Sequence, residues 1–308
     1  MHAAGERFTG VALRADRLED RGYARAATLF EAITPENDLK WGIVHPEEDR
    51  WDFSRADRLV GFAQRHGMRV RGHTLVWHNQ NPPWLFDGDP SREELVARLR
   101  EHITTLMRRY HGRIREWDVV NEAVADDGSL RKTPWLEKLG PGYVALAFKL
   151  AHEADPDAKL YYNDYGIEGA GPKLEGVVRL LQDAQRRGAP IGGVGLQGHV
   201  DTKPIPYWPE TLRRFTTLGL DVALTEVDVR IPAEPSPQDL AAQARQYRAL
   251  ADGCDAERRC RAFVVWGLDD ADSWVPDAYP GQGAATLLDE DLRPKPAYRA
   301  VREALGGT

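Results

Sequence analysis

Two carboxylates stand where apolar strands end. The run from Ile114 to Val120 is apolar and β-branched enough to read as a buried strand, yet it continues into Asn121 and Glu122. Residues 221 to 229 read Asp-Val-Ala-Leu-Thr-Glu-Val-Asp-Val, which sets Glu226 and Asp228 two apart and so on one face of a strand. Burying an unpaired carboxylate is costly, so strands that finish this way need a reason. If both ends meet at one mouth, the pair can act as general acid and nucleophile at a glycosidic bond. Ion pairing with arginines is the alternative for either strand alone. Two such strands, in a chain with tryptophans near strand ends, weaken it.

Nine tryptophans and ten tyrosines accompany them. Trp77, Trp84, Trp266 and Trp274 lie beside polar residues near strand ends, and flat rings of this kind stack well on sugar faces. In an expected strand from Met68 to His78, His73, Leu75 and Trp77 share one face, with Gln80 and Asn81 just beyond. His73 and His78 would point to opposite faces, which argues against a shared metal. Glu36, Asn37 and Lys40 crowd one turn after a short strand, a pattern that solvated loops also show. Residues 193 to 198 satisfy Gly-x-Gly-x-x-Gly, but a dinucleotide site must open a helix there, and Pro204, Pro206 and Pro209 exclude one. A glycine-rich strand that lets Gln197 and His199 reach the mouth is the better reading. Cys254 and Cys260 fit no common zinc spacing. Either they form a disulfide, stabilising by roughly 2 kcal/mol in an oxidising compartment, or they are two reduced thiols.

The elements that must position these residues alternate. Eight strands are expected, each followed by a helix or helix-sized segment, among them helices over 54–67, 92–110, 143–153, 172–188, 209–218, 237–252 and 294–305, with Ser54 as a candidate cap. The segment 123–142, rich in Asp, Gly and Pro, is expected to form a loop over the mouth. The rhythm is that of an α/β fold, a single (β/α)8 TIM barrel, with every polar constellation at the carboxyl end of a strand. No linker, repeat or low-complexity tract divides residues 1–308, so one domain is expected, without a separate carbohydrate-binding module. A hydrophobic content of 42% and a charged content of 29% fit a globular chain. The net charge of −7 and dispersed arginines disfavour nucleic acid as a partner. No apolar run is long enough for a membrane span and no secretory signal pattern opens the sequence, so the chain is expected to be cytosolic or already trimmed.

With these residues in view, the sequence resembles the glycoside hydrolase family 10 endo-β-1,4-xylanases over nearly its whole length. The resemblance is carried by Phe8-Thr9-Gly10-Val11-Ala12, Thr34 to Trp41, Arg71 to His78, Trp117 to Glu122, Tyr162-Asn163-Asp164-Tyr165, Leu224 to Asp228 and Trp266-Gly267. It implies a retaining enzyme that needs no metal or organic cofactor and acts on xylan and xylo-oligosaccharides. By that resemblance Glu122 is the general acid/base and Glu226 the nucleophile. Asn121 would bond the 2-hydroxyl of the sugar being cleaved, and His199, backed by Asp228, would bond the nucleophile. His73, Trp77, Gln80 and Gln197 would line the central subsites, and Glu36, Asn37 and Lys40 would hold the next sugar on the glycone side. Trp266 and Trp274 would roof them, and Tyr165 would lie toward the leaving group. The family's cysteine pair matches Cys254 and Cys260, which favours the disulfide and a secreted, monomeric protein, with an intracellular location still open. Repulsion between two carboxylates about 5.5 Å apart, roughly 3 kcal/mol at an effective dielectric near 20, would leave only one easily ionised. Selectivity for xylose would come from crowding at the sugar's fifth carbon by Lys40 and the tryptophans. Two departures stand out: Gly166 where many members carry Asn, and Val275 where some carry a basic residue. A related barrel glycosidase acting on β-1,4-glucan or aryl glycosides is the main alternative. A catalytically dead binding barrel would have lost one of the two glutamates.

Overall fold

The computed structural model describes residues 7–306. Eight strands form the central sheet: β1 (Phe8–Leu13), β2 (Ala32–Pro35), β3 (Arg69–Val76), β4 (Glu116–Asn121), β5 (Lys159–Asp164), β6 (Gly193–Leu196), β7 (Asp221–Val229) and β8 (Cys260–Val265). All neighbours are parallel, and β8 pairs with both β7 and β1, so the sheet closes on itself. One main helix follows each strand: α1 (Arg21–Ala27), α2 (Ser54–Arg65), α3 (Arg92–Arg109), α4 (Tyr143–Ala154), α5 (Pro172–Arg186), α6 (Trp208–Thr216), α7 (Pro237–Ala256) and α8 (Pro296–Ala304). This is the expected (β/α)8 barrel.

Parallel strands covered on both faces read as near-continuous apolar runs, and all nine residues of β7 are buried. The helix starts are set by side chains that satisfy the first free amides. Ser91 with Glu94 caps α3, and Ser236 with Asp239 caps α7. Ser54 does not cap α2 as expected. Asp52 does that work, accepting from the Ser54 amide at 2.9 Å and hydroxyl at 2.6 Å. Most apolar residues pack between strands and helices, while Phe8, Ala32, Tyr161, Ala223, Ala262 and Val264, drawn from five strands, meet inside the barrel. Above them lies a buried polar layer: Arg71, 4.3 Å over the Tyr161 ring, with Asp118 and His73.

The structure departs from expectation at three further places. The third strand stops at Val76, and its register on β4 shifts between His73↔Asp118 and Val76↔Val120, three residues against two. That bulge breaks the period-two alternation. His73 faces the cleft, Leu75 joins the apolar core, and Trp77 lies in the loop beyond. The segment 123–142 is not a cover over the mouth. It is a packed wedge, with a Val124↔Leu130 bridge, a short helix Pro134–Leu139, and Val124, Trp135 and Leu139 buried. The helix after β7 continues to Ala256, which brings Cys254 within a Cα separation of 5.4 Å of Cys260, and the two form a disulfide. That bond sits where β8 begins, at the pole opposite the strand ends that carry the glutamates. Among the described residues, no helix is long and apolar enough to cross a membrane.

Candidate active site

At the carboxyl ends of the strands lies a cleft of about 530 Å³. Glu122 follows β4 and Glu226 lies within β7, on opposite arcs of the barrel, and both line it. So do Glu36, Asn37, Lys40, His73, Trp77, Gln80, Asn121, Tyr165, Gln197, His199, Trp266 and Trp274, which is every residue expected to bind substrate.

The two carboxylates are joined by a line of amides. Asn163 Nδ2 donates to Glu226 Oε1 at 2.7 Å and to Asn121 Oδ1 at 2.8 Å, and Asn121 Nδ2 donates to Glu122 Oε1 at 3.2 Å. Gln197 Nε2 donates to the same Glu122 oxygen at 3.0 Å, and Trp77 Nε1 to Glu122 Oε2 at 2.9 Å. Glu122 itself sits in the left-handed region, φ 59°, a conformation that costs energy for a residue with a side chain. Asn163 is not among the residues expected from the sequence. It fits because Gly195 on β6 leaves no Cβ in its path, and Thr225 Oγ1 donates to its carbonyl at 2.6 Å. The signal was available: an amide inside the apolar run of β5, as Asn121 is in β4.

Glu226 stands in a different field. His199 contacts it through Nε2 at 3.1 Å and contacts Asp228 Oδ2 through Nδ1 at 2.7 Å, while Trp274 Nε1 donates to the same Asp228 oxygen at 2.7 Å. Burial pushes the Glu226 carboxyl up, but His73 and the His199 hydrogen bond outweigh it and hold the group below the usual glutamate range. Burial would likewise pull His199 down, and the two facing carboxylates instead raise it well above the usual imidazole value. His73 is aligned by Asp118 at 3.1 Å, and Arg71 neutralises Asp118 from beneath at 2.5 Å. The sequence alone marks Arg71 and Asp118 only as parts of strands. Their alternation with His73 and Trp117 was the available clue.

On the other flank, Lys40 Nζ donates to Asn37 Oδ1 at 2.9 Å and lies 4.8 Å over the Trp77 ring. Burial lowers its ammonium against the pull of Glu226, Glu36 and Glu122, and burial raises Glu36 despite Lys40. The roof contains one aromatic that the sequence did not single out, Tyr279, set edge-on to Trp274 at 5.9 Å. Gly166 lines the cleft beside Tyr165 and offers no side chain. Among the described residues, the group with metal-ligand geometry is His111, Asp155 and Asp157, at the opposite pole where β4 and β5 begin, and none of them lines the cleft.

The arrangement offers two carboxylates lining one cleft under an aromatic roof, one of them held in its charged form by His73 and His199. The model of glycosyl hydrolase family 10 matches residues 1–304. The chain belongs to that family. This family 10 glycoside hydrolase is 42% identical over 279 residues to endo-1,4-beta-xylanase B of Thermotoga neapolitana, covering 90% of this chain and 81% of that one. The native xylanase 10B of Thermotoga maritima superposes with a TM-score of 0.94 at 41% identity, covering 98% of this chain and 95% of that one. Xylanase 10B of Thermotoga petrophila RKU-1, solved in complex with xylobiose, gives 0.94 at 40% identity, covering 98% and 94%.

Proposed function

We propose that the protein is an endo-β-1,4-xylanase that cleaves xylan and xylo-oligosaccharides with retention of configuration, through a covalent glycosyl-enzyme. The observation that carries this reading is the Glu122–Asn121–Asn163–Glu226 line, which sets two differently stabilised carboxylates on either side of one cleft. Glu226, kept anionic by His199 and Asn163, attacks the anomeric carbon. Glu122, aimed by Trp77 and Gln197, gives its proton to the departing glycosidic oxygen. Once Glu226 is esterified its negative charge is gone, and Glu122 takes a proton from the water that releases the sugar. Asn121 reaches the 2-hydroxyl, where hydrogen bonds strengthen in the transition state.

Glu36, Asn37 and Lys40 hold the next sugar on the glycone side, and Tyr165 is the platform for the first sugar of the leaving group. Lys40, stacked on Trp77, and the Trp274 roof leave little room at the fifth carbon, which favours xylose over glucose. The deciding experiment digests linear xylohexaose and cellohexaose while proton NMR follows new reducing ends. Internal cleavage of the xylose oligomer with the β-anomer appearing first is expected. Cleavage confined to the glucose oligomer would assign the protein to β-1,4-glucan, and the α-anomer first would refute the covalent mechanism.

A further inference from the structure

Behind the leaving-group side of the cleft lies a buried ion pair that the mechanism above does not use. Lys173, in the first turn of α5 and 4% exposed, places Nζ 3.1 Å from Asp164 Oδ1 and 3.0 Å from the centre of the Tyr165 ring. Its remaining contact is Asp126 Oδ1 at 3.3 Å. Asp164 is fully buried at the end of β5. Its Oδ1 also accepts from the Tyr165 amide at 3.0 Å, and its Oδ2 accepts from the Tyr162 hydroxyl at 2.5 Å. That hydroxyl in turn accepts from the amide of Ala123, next to Glu122, at 3.0 Å. A second tie runs parallel: Arg131 Nε donates to the Glu122 carbonyl at 2.9 Å, and its terminal nitrogen donates to the Tyr165 hydroxyl at 2.8 Å.

We propose that Lys173, which touches no sugar, is a positioning residue: its ammonium under the Tyr165 ring and its pair with Asp164 hold the leaving-group platform in register with the backbone of Glu122. The inference rests on the reading of Tyr165 and Glu122 given above. A cation desolvated against an aromatic face is strongly held, and a buried lysine kept for nothing would be expensive. Burial pushes the Asp164 carboxyl up to about 7, and Lys173 and the Tyr162 hydrogen bond act against it. Gly166 sharpens the case, because beside Tyr165 it supplies no side chain to hold a sugar, and the ring carries that wall of the cleft.

The test uses a ratio that does not depend on how much protein is folded. An aryl β-xylobioside loads the enzyme, and phenol release counts every glycosyl-enzyme formed. Labelled xylobiose is the acceptor, and labelled xylotetraose counts those captured by a sugar on the leaving-group side instead of by water. In Lys173→Met the transfer-to-hydrolysis ratio is expected to fall about 10-fold, the order of one lost desolvated cation–π contact. Lys173→Arg should recover most of it, and in a Tyr165→Ala background Lys173→Met should change nothing further. An unchanged ratio, or an equal fall without the Tyr165 ring, would overturn the proposal. If Lys173→Met does not fold, Lys173→Gln carries the same expectation. If the wild type releases phenol only from an aryl β-cellobioside, the substrate reading fails instead, and the same ratio with labelled cellobiose decides the role of Lys173.

Discussion

His199 lies between two carboxylates, Nε2 against Glu226 and Nδ1 against Asp228. A histidine raised well above its usual value is cationic there, and it favours the charged form of Glu226. With Glu226 as the proposed nucleophile, activity should therefore persist to a pH below the ordinary glutamate range. Replacing His199 by Asn removes that support, so the acid limb of kcat/KM should move to higher pH in a full pH profile. Glu226→Ala should be inactive on xylan and be rescued by azide on an activated aryl xyloside to the α-glycosyl azide. The β-product would exchange the roles of the two glutamates. Glu122→Ala should lose about 10²- to 10⁴-fold on poor leaving groups and far less on 2,4-dinitrophenyl xylobioside, measured as kcat/KM. Equal losses would remove the acid role. At this scale the sequence was readable where a polar residue interrupts an apolar strand, as at Asn121, Glu122 and Glu226. Asn163 follows the same rule but is masked in the sequence, because its neighbours Asp164 and Tyr165 make the strand end look merely polar. Tyr279 carried no periodic signal at all, since it lies in a loop.

Elements explain why isolated rules fail. Strict alternation over 68–78 puts Leu75 beside His73 and Trp77, but the bulge against β4 sends Leu75 to the core and delivers the Trp77 indole from a loop. A bulge arises from the pairing of two strands and leaves no mark in one strand's pattern. The wedge at 123–142 has a similar history. Its Gly, Asp and Pro content reads as a loop, while its tertiary role rests on Trp135, buried with Nε1 on the Trp77 carbonyl at 2.9 Å. The polar layer inside the barrel belongs to this scale too. Arg71 is paired with Asp118 and Glu116, and burial of Asp118 would raise its carboxyl were the guanidinium not there to hold it down. Arg71→Met leaves those charges buried without a partner. A loss of about 3–5 kcal/mol is expected in urea unfolding, with Asp118→Asn in the same background recovering part of it.

Across the whole molecule, the cleft and the fastenings occupy opposite poles. The carboxyl ends of the strands hold the cleft, whereas the amino ends hold the Cys254–Cys260 bond and Asp221 ringed by Lys159, Arg259 and Arg261. A Cys254→Ala, Cys260→Ala variant should lose about 2 kcal/mol, a fall of about 3 °C in the melting midpoint, with kcat/KM unchanged. A drop in kcat/KM at 25 °C would show that the poles are coupled. The eightfold rhythm made this polarity legible in advance, because it depends only on where polar residues fall relative to strand ends. The left-handed backbone at Glu122 has a further consequence for anyone who evolves this protein in the laboratory. Glycine is the residue that conformation suits, so a single change there would relieve the backbone while, on the proposed role, silencing the enzyme on xylan. Survival of heating, used as the sole criterion, would enrich such silent winners, and a library of this barrel has to be sorted on sugar released.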